Sequence, residues 1–187
     1  MPQPALLIID MQMGMTWPSA AVRNNLDAEK NIECLLAQWR KASAPIVHVH
    51  HRSRTPGSPF YPDQPGIDVQ PAFAPIDGEQ VVTKQVPDAF TGTGLADLLQ
   101  KIEITSLVIV GVSTNNSVEA TARTAGNLGF NTYVIADACF AFAKTDFDGL
   151  PRTAQEVHAM SLANLHGEYA MVIHAAEALA LIGKQEQ

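Results

Sequence analysis

Two hydrophobic patterns alternate along this chain. Short continuous apolar runs, rich in Val, Ile and Leu, are each followed by a stretch in which apolar positions recur with helical spacing. The runs predict buried strands over residues 5–10, 45–51, 80–84, 106–112, 131–138 and 170–173. The periodic stretches predict helices over 25–42, 94–102, 115–128, 153–165 and 175–181. Strands that are apolar throughout are covered on both faces, and a helix after each strand supplies a parallel crossover. The expected architecture is therefore α/β: a Rossmann-like, three-layer α/β/α sandwich around a six-stranded parallel sheet, with the common strand order 3-2-1-4-5-6. The whole of 1–187 reads as one domain.

One connection breaks the rhythm. Residues 52–79, RSRTPGSPFYPDQPGIDVQPAFAPIDGE, are dense in Pro and Gly and carry Phe60, Tyr61 and Phe73. A loop of this length inside a compact domain is uncommon and usually functional. It is read as a wall of a small-molecule pocket, one that a neighbouring subunit can share.

In open α/β sheets, ligands bind beyond the carboxyl ends of the strands, where the strand order reverses. The residues at those ends are Asp10 in IIDMQ, Lys84 in VVTKQ, and Ser113 to Ser117 in GVSTNNSVEATAR. With the order above, strands one and four are neighbours, so Asp10 and Ser117 face one crevice. Strand three lies two spacings from strand one, about 10 Å, a gap that an inward lysine stem nearly closes. Asp10, Lys84 and a hydroxyl at a helix N-terminus then meet, a set able to move a proton, hold charge and present a nucleophile. Each residue type also has an ordinary structural use: Asp caps turns, Lys ends strands in solvent, and Ser, Thr or Asn caps helices. Their conjunction at one sheet edge is what points to a site.

Composition narrows the partners. The chain is 47% apolar and 17% charged, a globular profile with enough apolar residues for a full core. Its formal net charge is −7 and its twelve Lys and Arg are scattered, which argues against nucleic acid as a partner. No apolar run approaches the roughly 18 residues of a membrane span, so no membrane partner is expected. Cys34 and Cys139 show no CxxC spacing, against a disulfide framework or a zinc site. The first apolar run, ALLII, is short for a signal peptide and lacks a basic leader, so a reducing cytoplasm is expected. Helix faces with few charges, as in AAEALALIG, predict a homo-oligomer, dimer to octamer.

Four segments, LLIIDMQ, VVTKQVPDAFTGTGLADLL, LVIVGVSTNNSVEATARTAGNLGF and YVIADAC, resemble the isochorismatase-like superfamily, also called the cysteine hydrolases, over nearly the whole chain. The resemblance implies a six-stranded parallel sheet and frequent homo-oligomers. It implies an Asp-Lys-Cys triad, carried here by Asp10, Lys84 and position 117, and a non-proline cis peptide falling at Val112–Ser113. It also implies cleavage of small amides, ureido compounds or carbamoyl groups, or hydrolysis of the vinyl ether of isochorismate.

The departure is Ser117, where the family usually has cysteine. In the thiol members cysteine attacks a carbonyl carbon, Asp takes the proton and Lys supports the charge. Backbone N–H groups, here those of Ser113 and Ser117, hold the oxyanion. A thiol suits this because its ordinary pKa of about 8.5 falls further at a helix N-terminus beside a lysine. A serine hydroxyl is far less acidic and normally works with a matched base such as His. An ordinary Asp carboxyl, at about 3.9, is a poor base unless burial raises it. Isochorismate-cleaving members also lack the cysteine: there Asp protonates the vinyl ether and water attacks. Three readings stay open. They are an amide-type C–N hydrolase, a vinyl-ether hydrolase without a covalent intermediate, and a binding or assembly protein that keeps the fold without the chemistry.

HVHH, residues 48–51, looks like a metal site, but alternation puts His48 and His50 on one strand face and His51 on the other. The Asp-x-His-x-x-His pattern by which nicotinamidases of the superfamily hold zinc is absent, and no metal is expected. No nucleotide-binding glycine motif is present, and no cofactor is expected. His50 or His51, ending strand two between Asp10 and Lys84, can touch a small-molecule substrate. Gln12, Trp17, Phe60, Phe90, Asn116, Phe140 and Phe142 are further candidate pocket walls. Cys139, one strand further off, is read as a buried structural cysteine rather than a displaced thiol nucleophile, and His158 as a satisfied core or interface histidine.

Overall fold

In the computed structural model, which describes residues 3–16 and 22–182, strands and helices alternate as the apolar pattern predicts. The chain runs through β1 (Ala5–Ile9), α1 (Ala28–Lys41), β2 (Ile46–His51), β3 (Gln80–Lys84), α2 (Leu95–Lys101) and β4 (Ser106–Val112). It continues through α3 (Glu119–Asn127), β5 (Asn131–Phe140), β6 (Lys144–Thr145), β7 (Pro151–Arg152), α4 (Ala154–Leu165), β8 (Met171–Ile173) and α5 (Ala175–Ile182). Six strands form one parallel sheet in the order β3-β2-β1-β4-β5-β8, while β6 and β7 form a separate antiparallel hairpin. The expected 3-2-1-4-5-6 order holds, with β8 as its sixth strand.

Alternation along each strand feeds two cores. Leu6 and Ile8 of β1 join Ile32, Leu35 and Trp39 of α1 and Ala178 and Ile182 of α5 on one face. Ala5, Leu7 and Ile9 join Leu95 and Leu99 of α2, Ala122 of α3 and Leu165 of α4 on the other. Each fully buried Leu or Ile is worth about 2 kcal/mol relative to exposure. Even Trp39, fully buried, keeps its polar atom satisfied: Nε1 donates to the Pro4 carbonyl at 2.8 Å.

Gly111 of β4 pairs with Ile9 of β1. Its φ of +119° suits glycine alone, and a Cβ there would stand 2.1 Å from the Ile9 carbonyl oxygen. The absence of a side chain lets the ends of β1 and β4 lie against each other where Asp10 and residues 113–117 emerge.

Local chemistry departs from the periodic pattern at α1, at the 115–128 helix and at the β6–β7 hairpin. α1 starts at Ala28 rather than 25 because Asn25 takes a left-handed conformation, φ 45°, and its amide donates to the carbonyls of Ala136 and Cys139. The helix expected over 115–128 divides into a π-helical turn, Thr114–Val118, and α3. The β6–β7 hairpin is too short to show periodicity; the Asp146 carboxylate builds it by accepting from the Asp148 and Leu150 N–H groups and from Arg152. The long 52–79 loop is packed rather than loose. It contains two short 3-10 turns, Pro65–Ile67 and Pro71–Phe73, and buries Phe73. Among the described residues no helix is long and apolar enough to cross a membrane.

Candidate active site

β1 ends at Ile9, and Asp10 turns the chain with φ 52°, a left-handed conformation that Asp and Asn adopt more readily than other residues with a side chain. The surrounding sheet holds it there: the Asp10 N–H donates to the Val49 carbonyl of β2 at 2.9 Å. β3 ends at Lys84, in register with His51 of β2. From that strand end the Lys84 side chain reaches past β2, and its Nζ donates to Asp10 Oδ2 at 2.8 Å and to Ser117 Oγ at 3.2 Å. Asp10 and Lys84 are each 1% exposed and Ser117 is 5% exposed, so the meeting is shielded from water. Three strand ends, remote in sequence, converge as the strand order requires.

Burial pushes the Asp10 carboxyl up from its ordinary 3.8, against the pull of the Lys84 charge, the Lys84 hydrogen bond and, last, the nearby Ser117 hydroxyl. Its second oxygen, Oδ1, is buried and has no hydrogen-bond partner among the described residues. Ser117 is therefore close to Asp10 but bonded to Lys84. The His51 Nδ1 stands 3.5 Å from Lys84 Nζ, and burial followed by the Lys84 charge brings that imidazole down to about 4. It is neutral at neutral pH.

Ser117 sits in the π-helical turn after β4, and the Val112–Ser113 peptide is cis, as the resemblance implies. The N–H groups of Asn116 and Val118 both donate to the Ser113 carbonyl, at 3.0 and 3.2 Å, while that of Ser117 does not share this acceptor. π-helical turns are rare and concentrate at functional sites. α4 braces this one: His158 Nδ1 lies 2.8 Å from Thr114 Oγ1, and Ser161 Oγ donates to the Thr114 carbonyl at 2.9 Å. His158 is thus the satisfied core histidine expected.

A cavity of about 390 Å³ opens above these groups, with Asp10, His51, Arg54, Phe60, Asn116 and Ser117 in its wall. That volume lies toward the small end of ligand sites, about 300–1,000 Å³. The long loop supplies Ser53, Arg54, Thr55 and Phe60, so it does form one wall. A larger hollow of about 610 Å³ lies on α4 beside Val157 and Met160 and holds no nucleophile.

Other candidate wall residues belong elsewhere. Gln12 is fully buried as a clamp between chain segments: its amide donates to the carbonyls of His51 and Ile67 and accepts from the His51 N–H. His50 lies on the His48 face of β2, its ring 6.3 Å from that of His48, so strand alternation gives the cavity to His51 instead. Phe90 stacks on Phe130 in the core beneath α2 and α3. Phe140 packs edge-on to Phe142 in the opposite core, under the Arg23 guanidinium. Trp17 lies outside the described residues. Cys139 is fully buried and its thiol is pushed up to about 12 by desolvation, so it is no displaced nucleophile. His48, first of HVHH, is held by Glu79 at 2.8 Å, and among the described residues no three His, Cys, Asp or Glu side chains converge as metal ligands. Sequence reasoning marked the long loop but missed Ser53, Arg54 and Thr55 within it, along with Met15, Gln85 and Pro87. Irregular backbone carries no period from which a facing residue can be read.

The buried imidazoles predict how stability follows pH. His50 and His51 are both lowered from 6.5 to about 4, chiefly by desolvation. Between these values the unfolded chain binds more protons than the folded one, so their stabilisation is complete above 6.5 and is lost as pH falls toward 4. Asp10, raised by burial, acts in the opposite sense, since its protonation favours the folded state. Burial lowers His48 and His158 as well, so four imidazoles stand against one carboxyl, and the urea midpoint should drop between pH 7 and pH 4.5. His50→Gln should flatten that drop, and an equally steep slope in the variant would remove His50 from the account.

The comparisons fit this geometry. The isochorismatase domain family matches residues 4–177. The isochorismatase family protein YrdC of Bacillus subtilis is 38% identical over 169 residues, covering 90% of each chain. Maleamate amidohydrolase of Pseudomonas putida is 32% identical over 151 residues, covering 72% of this chain and 71% of that protein. A crystal structure of an isochorismatase-family protein from Chromobacterium violaceum is 49% identical, covers 97% of this chain and 94% of its own, and superposes with a TM-score of 0.93. With its sheet order, its strand-end residues and these matches over most of its length, the chain belongs to the isochorismatase family.

Proposed function

We propose that the protein hydrolyses a small molecule at an amide-type C–N bond, with Asp10 as proton acceptor and donor, Lys84 as the fixed cation and Ser117 as the nucleophile. One observation carries this reading: the buried Asp10 carboxyl has Oδ2 held by Lys84 at 2.8 Å and Oδ1 without a partner among the described residues. Structural ion pairs satisfy their buried oxygens, because leaving one bare costs about 1–3 kcal/mol. Beside the Ser117 hydroxyl, a bare oxygen is a place for a proton to go. Burial also raises the Asp10 pKa and so makes the carboxyl a better base than an exposed one.

In this mechanism Ser117 Oγ attacks the substrate carbonyl carbon and its proton passes to Asp10 Oδ1. The Ser113 and Ser117 N–H groups hold the oxyanion. Asp10 returns the proton to the nitrogen as the C–N bond breaks, and ammonia or an amine leaves. Water then attacks the ester, giving its proton to Asp10, and the acid departs as Ser117 takes a proton back. Lys84 offsets the charge on both oxygens it touches. The similarity to maleamate amidohydrolase supports the choice of bond.

A second reading has its own support: the Ser117 hydroxyl is bonded to Lys84, not to Asp10. Asp10, raised by burial, would then protonate a vinyl ether while water attacks. A panel of small amides, ureido acids and isochorismate separates the two. Ammonia release that is lost in Ser117→Ala supports the amide mechanism. Isochorismate turnover unchanged in Ser117→Ala, with no ammonia from any amide, supports the second. Tight ligand binding with turnover of nothing makes the protein a binding module.

A further inference from the structure

The π turn that carries Ser117 opens at Thr114, and α4 grips that residue twice. His158 Nδ1 lies 2.8 Å from Thr114 Oγ1. Ser161 Oγ shares its proton between the Thr114 carbonyl at 2.9 Å and Glu119 Oε2 at 2.6 Å, so it spans the turn from its first residue to the one just past it. Of the four residues that α4 buries, Ala154 and Leu165 are apolar, and the two polar ones, His158 and Ser161, both go to Thr114. Apolar residues would pack this helix on the core equally well. A buried polar network instead specifies one arrangement of the groups it joins. α4 is itself anchored by a capping box between Thr153 and Glu156, so the grip comes from a fixed support.

Burial pushes the His158 imidazole below 6.5 and keeps it neutral, and the Ala136 carbonyl accepts its ring proton. Nδ1 is therefore an acceptor, and the Thr114 hydroxyl donates to it. The Thr114 carbonyl also closes the turn: the Glu119 N–H bonds back to it, one residue further than in an α-helix. That extra residue matters because successive helical side chains are set about 100° apart. If the turn tightened to α geometry, residue 117 would swing by about that angle relative to α3. It would then leave Lys84, whose Nζ stands 3.2 Å from the Ser117 Oγ. Thr114 is where this register is set.

We infer that His158 is a positioning residue: by accepting from the Thr114 hydroxyl it fixes the π turn and aims Ser117 at Lys84 and Asp10. His158 touches neither the substrate nor the reacting atoms. Its contribution is to the orientation of a nucleophile, where a misplacement of about 1 Å costs on the order of 10²-fold in rate. For its effect on rate the inference rests on Ser117 acting as the nucleophile. For where residue 117 stands it rests on the turn alone.

The test removes the contact from either side. Thr114→Val and His158→Leu should each lower kcat for an amide substrate about 10- to 100-fold with little change in KM, because neither residue lines the cavity. Thr114→Ser, which keeps the hydroxyl, should retain most of kcat. Each single variant leaves one buried polar partner bare and should unfold at lower urea. The double variant Thr114→Val/His158→Leu leaves none, since the Ala136 carbonyl keeps its Asn25 donor, and should recover much of the stability. Its kcat should stay low. A kcat that recovers along with stability, or a loss confined to KM, would overturn the inference. If no amide is turned over, the thiol introduced by Ser117→Cys on a Cys34→Ser background answers without catalysis. Lys84 lowers that thiol only while residue 117 faces it, so Thr114→Val and the double variant should raise its ultraviolet titration midpoint by about one pH unit. A raised midpoint upholds the positioning role while the hydrolase reading fails; a midpoint unmoved in both overturns the positioning role as well.

Discussion

Asp10→Asn should lower amide hydrolysis by about 10²- to 10⁴-fold, the worth of a well-placed acid–base group. The substitution keeps the shape of the side chain, and Asn tolerates the left-handed φ of 52° that this position demands. What it removes is the charge and the proton-accepting oxygen. Lys84, 1% exposed, would then be buried without a counterion, and breaking such a pair from one side costs about 3–5 kcal/mol. The variant should therefore lose both activity and stability. Asp10→Asn combined with Lys84→Met separates the losses: urea unfolding should show much of the stability restored, and ammonia release should show no activity restored. The wild-type profile of kcat/KM against pH should also have an acid limb displaced above 3.8, because desolvation raises the Asp10 carboxyl. Asp10→Asn retaining a tenth or more of wild-type activity would remove Asp10 from the mechanism.

Much of this arrangement could be read from the sequence because it is periodic. The apolar runs located all six strands of the main sheet, and the parallel order followed from strands that are apolar on both faces. That order alone carried Lys84 past β2 to Asp10, across a span that its stem closes to a 2.8 Å contact. Where the backbone is not periodic, the reading failed. The split of the 115–128 helix into a π turn and α3 depends on the Ser113 carbonyl taking two donors and on the brace from His158 and Ser161, which are about forty residues downstream. Arg54 faces the cavity through turns internal to the loop. Gln12 and Phe140 lie near the site in sequence or at a strand end, yet one clamps the loop and the other fills a core. Being polar or aromatic near a strand end does not decide which way a side chain faces; packing does.

Ser117→Cys should raise amide hydrolysis on the order of 10²-fold or more, because a thiolate is populated near neutral pH where an alkoxide is not. Two effects compete at this buried position, and the molecule contains the comparison that weighs them. Cys139, fully buried with no cation beside it, is pushed up to about 12. Position 117 is 5% exposed but has the Lys84 ammonium 3.2 Å from its side-chain oxygen and lies in the first turn after β4. An adjacent cation and the amide end of a helix both stabilise a thiolate, so the introduced cysteine should ionise well below Cys139. Ultraviolet titration of the thiolate in Ser117→Cys, on a Cys34→Ser background that removes the exposed thiol and with Cys139 as the internal reference, reads this directly. A thiol that ionises readily and a large gain in ammonia release together support attack by residue 117. If the thiol ionises but the rate stays flat, while Asp10→Asn still abolishes turnover, Asp10 acts on water or on a vinyl ether and residue 117 only lines the site. If Ser117→Cys gains nothing and Asp10→Asn costs nothing on every substrate turned over, the Asp10–Lys84–Ser117 cluster is not where the reaction happens.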